Sequence, residues 1–187
     1  MIRLKVSLDT VLDSKRCKLR CVSEADADYY GEVLQYPGFT DGLLVNPARS
    51  KEEVVQWINN DLTAWAKSEK YSFTVLSKSK SFLGRINIRT VHGQGIWNMG
   101  FWILPSHWGK GYAAEAAITV FDFAFDQLHI KKINAAHAQA NIQSKRVLEK
   151  IGMRIVKNKE KGFLKNSDWV ANTRYEITRE HWYSRRR

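Results

Sequence analysis

The segment that most restricts how this chain can fold runs from Gly100 to Ala116. An apolar, strand-like run, Gly100-Phe101-Trp102-Ile103-Leu104-Pro105, meets Ser106-His107-Trp108-Gly109-Lys110-Gly111, and an Ala-rich amphipathic run follows from Tyr112. A strand therefore becomes a helix across two glycines that flank a lysine. Glycine accepts backbone angles that let successive N–H groups point into one small volume. The positive end of the helix dipole adds to their field. Such a turn suits a phosphate or pyrophosphate; a purely structural glycine corner is the alternative.

Two common phosphate-binding patterns fail here. Gly109-Lys110-Gly111-Tyr112-Ala113-Ala114 satisfies G-x-G-x-x-G/A, but the next strand, Lys132 to Gln139, ends without the carboxylate that would hold a ribose. The turn also arrives only after three strands and a hairpin. A P-loop needs Ser or Thr after its Gly-Lys, where this chain has Gly111.

Periodicity and turn residues organise the rest. A strand is expected over Arg16–Val22 and a helix over Ser23–Leu34, then a turn-rich loop through Tyr36-Pro37-Gly38-Phe39-Thr40-Asp41-Gly42. Ser50-Lys51-Glu52-Glu53 forms a capping box ahead of a second helix with Val54, Trp57, Ile58 and Leu62 on one face. Strands follow at Tyr71–Leu76, Phe82–Val91 and Gly95–Leu104, the last two joined by a hairpin. After the turn come a helix (Tyr112–Leu128), a strand (Lys132–Gln139) and a helix opening at Asn141 and stopped by Gly152. Strands near Met153–Phe163 and Trp169–Thr178 close the chain. The order β-α-α-β-β-β-α-β-α-β-β implies an α+β fold: a mixed, mostly antiparallel central sheet with helices on both faces. One domain over residues 1–187 is expected, with 1–14 a loose leader and 184–187 a basic tail.

The longest apolar candidate, Ala113–Phe125, carries Glu115 and Asp122, so no membrane span is expected. Residues 1–6 lack the apolar core of a signal peptide. Cys17 and Cys21 are too few for a disulfide framework and read as reduced thiols, which makes a cytoplasmic location the expectation. A net charge of +11 favours anionic partners such as a phosphorylated cofactor, a ribosome or an acidic peptide; a solvated surface is the plainer account.

A second element accompanies the turn. Asn141-Ile142-Gln143-Ser144-Lys145-Arg146-Val147-Leu148-Glu149-Lys150-Ile151-Gly152-Met153 opens on a natural N-cap and carries Lys145, Arg146 and Lys150. With one strand between them, the two elements resemble the GCN5-related N-acetyltransferases (GNAT), in their RimJ/RimL-like branch of ribosomal-protein acetyltransferases. The resemblance rests on Trp108-Gly109-Lys110-Gly111-Tyr112-Ala113 at the pyrophosphate pattern, with Trp in the slot where Gln or Arg is common. Trp97-Asn98-Met99-Gly100-Phe101-Trp102-Ile103 resembles the family's fourth strand, and Asn141-x-x-Ser144 its cofactor-flanking motif.

That resemblance implies the acyl-CoA N-acyltransferase fold, acetyl-CoA as co-substrate, no metal, and direct attack of an amine through a tetrahedral intermediate. It implies that backbone groups of Phe101, Trp102, Ile103 and Leu104 hold the pantetheine. Trp108, Gly109, Lys110, Gly111, Tyr112 and Ala113 would hold the pyrophosphate, Asn141 would orient the cofactor, and Lys145 or Arg146 would reach the 3′-phosphate. Many relatives protonate the leaving thiolate with a tyrosine; Leu148 stands there, so Ser144 is the expected acid. The base is open between a water held by Asn98, where relatives often have glutamate, and His137, which packing alone also explains. Acceptor walls are expected from Tyr36, Phe39 and Asp41 on one side and Tyr175 on the other. The expected acceptor is a protein N-terminus, with ribosome association open and either a monomer or a homodimer. A small amine (polyamine, amino acid, aminoglycoside) and a noncatalytic ribosome- or nucleic-acid-associated module are the alternatives.

Overall fold

The computed structural model describes residues 5–34, 36, 39–43, 48, 50–91 and 96–186. Pro37, Gly38 and hairpin residues 92–95 lie outside them. Among the described residues eight strands form one sheet: β1 (Val11–Asp13), β2 (Cys17–Cys21), β3 (Lys70–Ser77), β4 (Phe82–Val91), β5 (Ile96–Ile103), β6 (Lys132–Ala138), β7 (Arg154–Lys165) and β8 (Asp168–Thr178). Their spatial order is β1-β2-β3-β4-β5-β6-β8-β7. Every neighbouring pair is antiparallel except β5 and β6, which run parallel across the α3 crossover. The helices are α1 (Ala27–Leu34), α2 (Lys51–Ala66), α3 (Tyr112–Asp122), α4 (Ile142–Lys150) and α5 (Arg179–Ser184). The α+β expectation holds.

Two ends of the chain differ from the sequence reading. Val11–Asp13 is not leader but an edge strand paired with β2, and Leu12 alone in it is buried. Three residues are too few to leave a readable alternation. Ser14 closes the hairpin: its N–H donates to the Cys17 carbonyl at 3.0 Å, and its hydroxyl accepts the Cys17 N–H at 3.0 Å. At the other end, Ser184 belongs to α5, whose Thr178 cap accepts the His181 N–H. Trp182 lies edge-on to Phe121 at 5.3 Å, its indole N–H donates to Asp122, and Arg186 also pairs with Asp122. The end of the chain is thus latched onto α3 rather than free through residue 186.

The core is aromatic. Phe123, in a π-helical turn continuing α3 (Phe123–Gln127), stands edge-on to Tyr71 and Phe73 of β3, and Trp65 at the end of α2 meets the same two rings. Burying side chains of this size stabilises the fold by roughly 1.5–3 kcal/mol each. Asp26, fully buried, accepts hydrogen bonds from Arg20, the Ser23 N–H and the Thr74 hydroxyl, so its charge is matched and the turn before α1 is fixed to the sheet. Cys17 and Cys21 are both buried and unbridged. Among the described residues no helix is long and apolar enough to cross a membrane.

Candidate active site

The two parallel strands do not stay together. Trp97, Asn98 and Met99 pair with Ile133, Asn134 and Ala135, and there the ladder stops. Beyond it β4 holds β5 as far as Ile103, while β8 holds β6 as far as Ala138. The sheet therefore opens into a wedge with an unpaired backbone edge on each side. Gly84 lets β4 follow β5 this far, because a Cβ there would stand 2.2 Å from the Trp102 carbonyl oxygen.

Strand alternation corrects the expectation for Phe101 to Leu104. The Leu104 N–H donates to the Leu83 carbonyl at 2.9 Å, so Leu104, and by alternation Trp102, turn their backbone groups toward β4. Phe101 and Ile103 are left to present theirs to the wedge. The Ile103 carbonyl is already taken by the Trp108 indole N–H at 2.7 Å. The Trp102 ring joins Tyr30, Phe39 and Phe82 in an aromatic cluster.

At the open end stands the glycine turn. Gly109 and Gly111 have φ of 74° and 83°, the left-handed region that glycine alone occupies without strain, and Gly111 is the N-cap of α3. Among the described residues no backbone carbonyl takes the N–H groups of Gly109 through Ala113, whereas the Trp108 N–H is spent on Pro105. The Lys110 ammonium folds back to the Ser106 carbonyl at 2.9 Å and remains exposed. Trp108, expected at the phosphate, instead pins the turn to β5 and stacks on Phe39. Five open N–H groups at the start of α3, with nothing within 4 Å of a Cβ built on Gly109, fit a diphosphate.

Across the wedge, Asn141 caps α4. Its Oδ1 accepts the Ser144 N–H at 2.9 Å and its Nδ2 donates to the Gly42 carbonyl at 3.0 Å. Both ends of the carboxamide are thus engaged in positioning. The Ser144 hydroxyl is half-buried and free of protein acceptors among the described residues. Lys145 is half-buried and lies 4.0 Å from Glu149 on its own helix. The 3₁₀ turn Thr40–Gly42 closes the mouth: Phe39 is buried against Trp102 and Trp108, and the Lys165 ammonium, at the tip of the β7–β8 hairpin, donates to the Thr40 carbonyl. Phe39 is therefore a packed anchor rather than an open wall, while Tyr36 is exposed. The Asp41 side chain lies outside what the structure describes.

His137 and Tyr175 are corrected. Both face the sheet side that Phe123 covers, opposite Asn98 and Asn134, and they are 3% and 1% exposed. His137 Nδ1 lies 2.7 Å from the Ala138 carbonyl, which can only accept, so the proton sits on Nδ1. Nε2 lies 3.3 Å from the Tyr175 hydroxyl. Neither residue can meet an acceptor. Asn98 is half-buried, in register with Asn134 at the closed end of the wedge.

Sequence reasoning missed the clasp beneath the turn. Arg16 Nη1 donates to the Lys110 carbonyl at 2.9 Å, and Glu115 accepts from Arg16 Nε, the Arg16 N–H and the Ser14 hydroxyl. About a hundred residues separate these partners, so no local pattern announces them. Burial is the largest single influence on Glu115 and works to raise its pKa. The bonds from Ser14 and Arg16 together outweigh it, holding the carboxyl below its ordinary 4.5. Glu115 contributes stability that is present above its unfolded pKa and lost as pH falls through the folded one. Urea unfolding of Glu115→Gln should show a lower midpoint than the parent at pH 7. The difference should shrink as pH falls below about 4; a pH-independent difference would contradict the clasp.

A groove of about 760 Å³ runs from this clasp along the outer side of α3, reaching Gly109–Gly111 but not the wedge. Residues 16–154 match the acetyltransferase (GNAT) domain family. Bacillus subtilis YkkB, a protein without assigned function, is 29% identical over 156 residues, covering 77% of this chain and 85% of YkkB. The structure of RimL, a ribosomal L7/L12 alpha-N-protein acetyltransferase in complex with coenzyme A, superposes with a TM-score of 0.83 at 13% identity, over 92% of this chain and 99% of that one. Spermidine N-acetyltransferase from Vibrio cholerae, bound to coenzyme A and spermine, gives 0.79 at 18% identity, over 91% and 99%.

Proposed function

Since this chain belongs to the GNAT acetyltransferase family and is an acetyl-CoA-dependent N-acetyltransferase, we propose that its acceptor is a protein N-terminal α-amine, as in the RimJ/RimL-like branch. The wedge between β5 and β6, with the open N–H turn at its mouth, is the observation that carries the reading. Acetyl-CoA supplies a thioester carbonyl open to direct attack by a neutral amine. Phe101 and Ile103 offer N–H groups along the pantetheine, and one of them faces the oxygen where negative charge develops. Gly109 through Ala113 hold the diphosphate, with Lys110 and Arg16 supplying positive charge. Ser144 gives its hydroxyl proton to the departing sulfur; a thiolate leaves readily, so a weak acid suffices. Asn98 holds the water that takes the proton from the amine. Lys145 reaches toward the 3′-phosphate.

Among the described residues, Asn141 and Lys165 donate to carbonyls of the Thr40–Gly42 turn, which itself carries Asp41. Coenzyme A thiol release, measured with free N-terminal peptides and with spermidine, tests the assignment. Turnover is expected with the peptides and little with spermidine; turnover confined to small amines would overturn the protein acceptor.

A further inference from the structure

β7 ends the sheet, and its outer edge pairs with no described strand. It is twelve residues long, roughly 40 Å of backbone, and register shifts at Ile155/Lys157 and Lys159/Phe163 divide its free outer N–H and C=O groups into shorter runs. Five basic residues, Arg154, Lys157, Lys159, Lys161 and Lys165, stand on it against one acid, Glu160. Lysines on an edge strand guard against pairing with a second copy, which would bring an identical row of charge alongside. That guard does not account for the apolar residues beside them. Ile155, Val156, Leu164 and Trp169 are each more than half exposed on this one hairpin. An edge both apolar and basic fits an extended polypeptide with acidic residues between hydrophobic ones. One end of that edge lies at the active-site mouth, because Lys165 is hydrogen-bonded to Thr40 and the same turn is bonded to Asn141.

We infer that the outer edge of β7 is a docking strand for an acidic, extended stretch of the acceptor polypeptide, downstream of the amine that enters the wedge. The inference rests on the N-terminal acceptor reading and adds the charge of the partner and its mode of binding. Backbone pairing supplies affinity without sequence demand, and the lysines select acidic tails. The charge contribution is screened by salt.

Calorimetry on the protein without cofactor tests this with a free-amine peptide whose tail alternates glutamate with valine. Its glutamine counterpart serves as the neutral control. The acidic peptide should bind about tenfold more tightly at low salt, and the doubly reversed Lys157→Glu, Lys161→Glu protein should lose that advantage while keeping its affinity for coenzyme A. Backbone N-methylation of alternate tail residues should also cost the acidic peptide its binding. Equal affinities for the two peptides, no effect of the charge reversal, or undiminished binding of the N-methylated peptide would each overturn the docking strand. Because binding is read without transfer, the two readings fail separately. Tight binding of the acidic peptide with no acetylation of any peptide would overturn the N-terminal acceptor. Acetylation of neutral and acidic peptides alike, with equal affinities, would overturn the docking strand.

Discussion

Gly111→Val should weaken coenzyme A binding by about 30- to 100-fold while leaving the protein folded. Gly111 has φ of 83° and begins α3, so the N–H groups on both its sides point outward only while that angle is kept. A β-branched residue held there costs about 1–3 kcal/mol of strain. If the turn relaxes instead, the N–H array disperses and the loss appears as missing hydrogen bonds. Either route lowers affinity for the diphosphate, and calorimetry of the purified variant measures it. Gly109→Ala separates the two effects. Its φ is 74°, and an added Cβ would meet nothing within 4 Å, so strain acts there without a clash. A loss of about tenfold is expected from it. Unchanged affinity in both variants would mean that the turn does not hold the cofactor.

Ser144→Ala should lower kcat by about a hundredfold, with the dissociation constant for coenzyme A unchanged. Its N–H is occupied by the Asn141 cap, and the cap survives the substitution because it uses only the backbone. What disappears is the half-buried hydroxyl. The deficit should shrink with an acyl donor whose thiol is more acidic, since such a sulfur needs less help in leaving. A variant with unchanged kcat would remove Ser144 from the reaction. A variant with both constants altered would point to a role in holding α4 instead.

The parts of the site that could be read in the sequence are those made by neighbours in the chain. Gly109-Lys110-Gly111 announces its turn because two glycines at a strand–helix junction have few other uses, and Asn141 announces its cap through a local bond to Ser144. Phe82–Val91 follows its alternation so closely that expectation and structure share both ends. Long-range contacts left no such mark. The pairing of Arg16 with Glu115, of Lys165 with Thr40, and of Asn141 with Gly42 joins residues about a hundred or more positions apart. The slot of Trp108 in the pattern points to the phosphate, yet its indole returns to the Ile103 carbonyl. The hairpin position of Tyr175 points to an acceptor wall; strand parity, which depends on register, sends it into the core instead. Register likewise decides that Phe101 and Ile103, not Trp102 and Leu104, face the wedge.

Hydrogen exchange with and without acetyl-CoA tests the central claim most directly, because it asks where along the backbone the co-substrate sits. Phe101, Ile103 and the amides from Gly109 through Ala113 should exchange more slowly on binding, while β1 and the outer side of α3 stay as they were. Protection confined to the α3 groove, with the β5 edge still exchanging freely, would contradict the account.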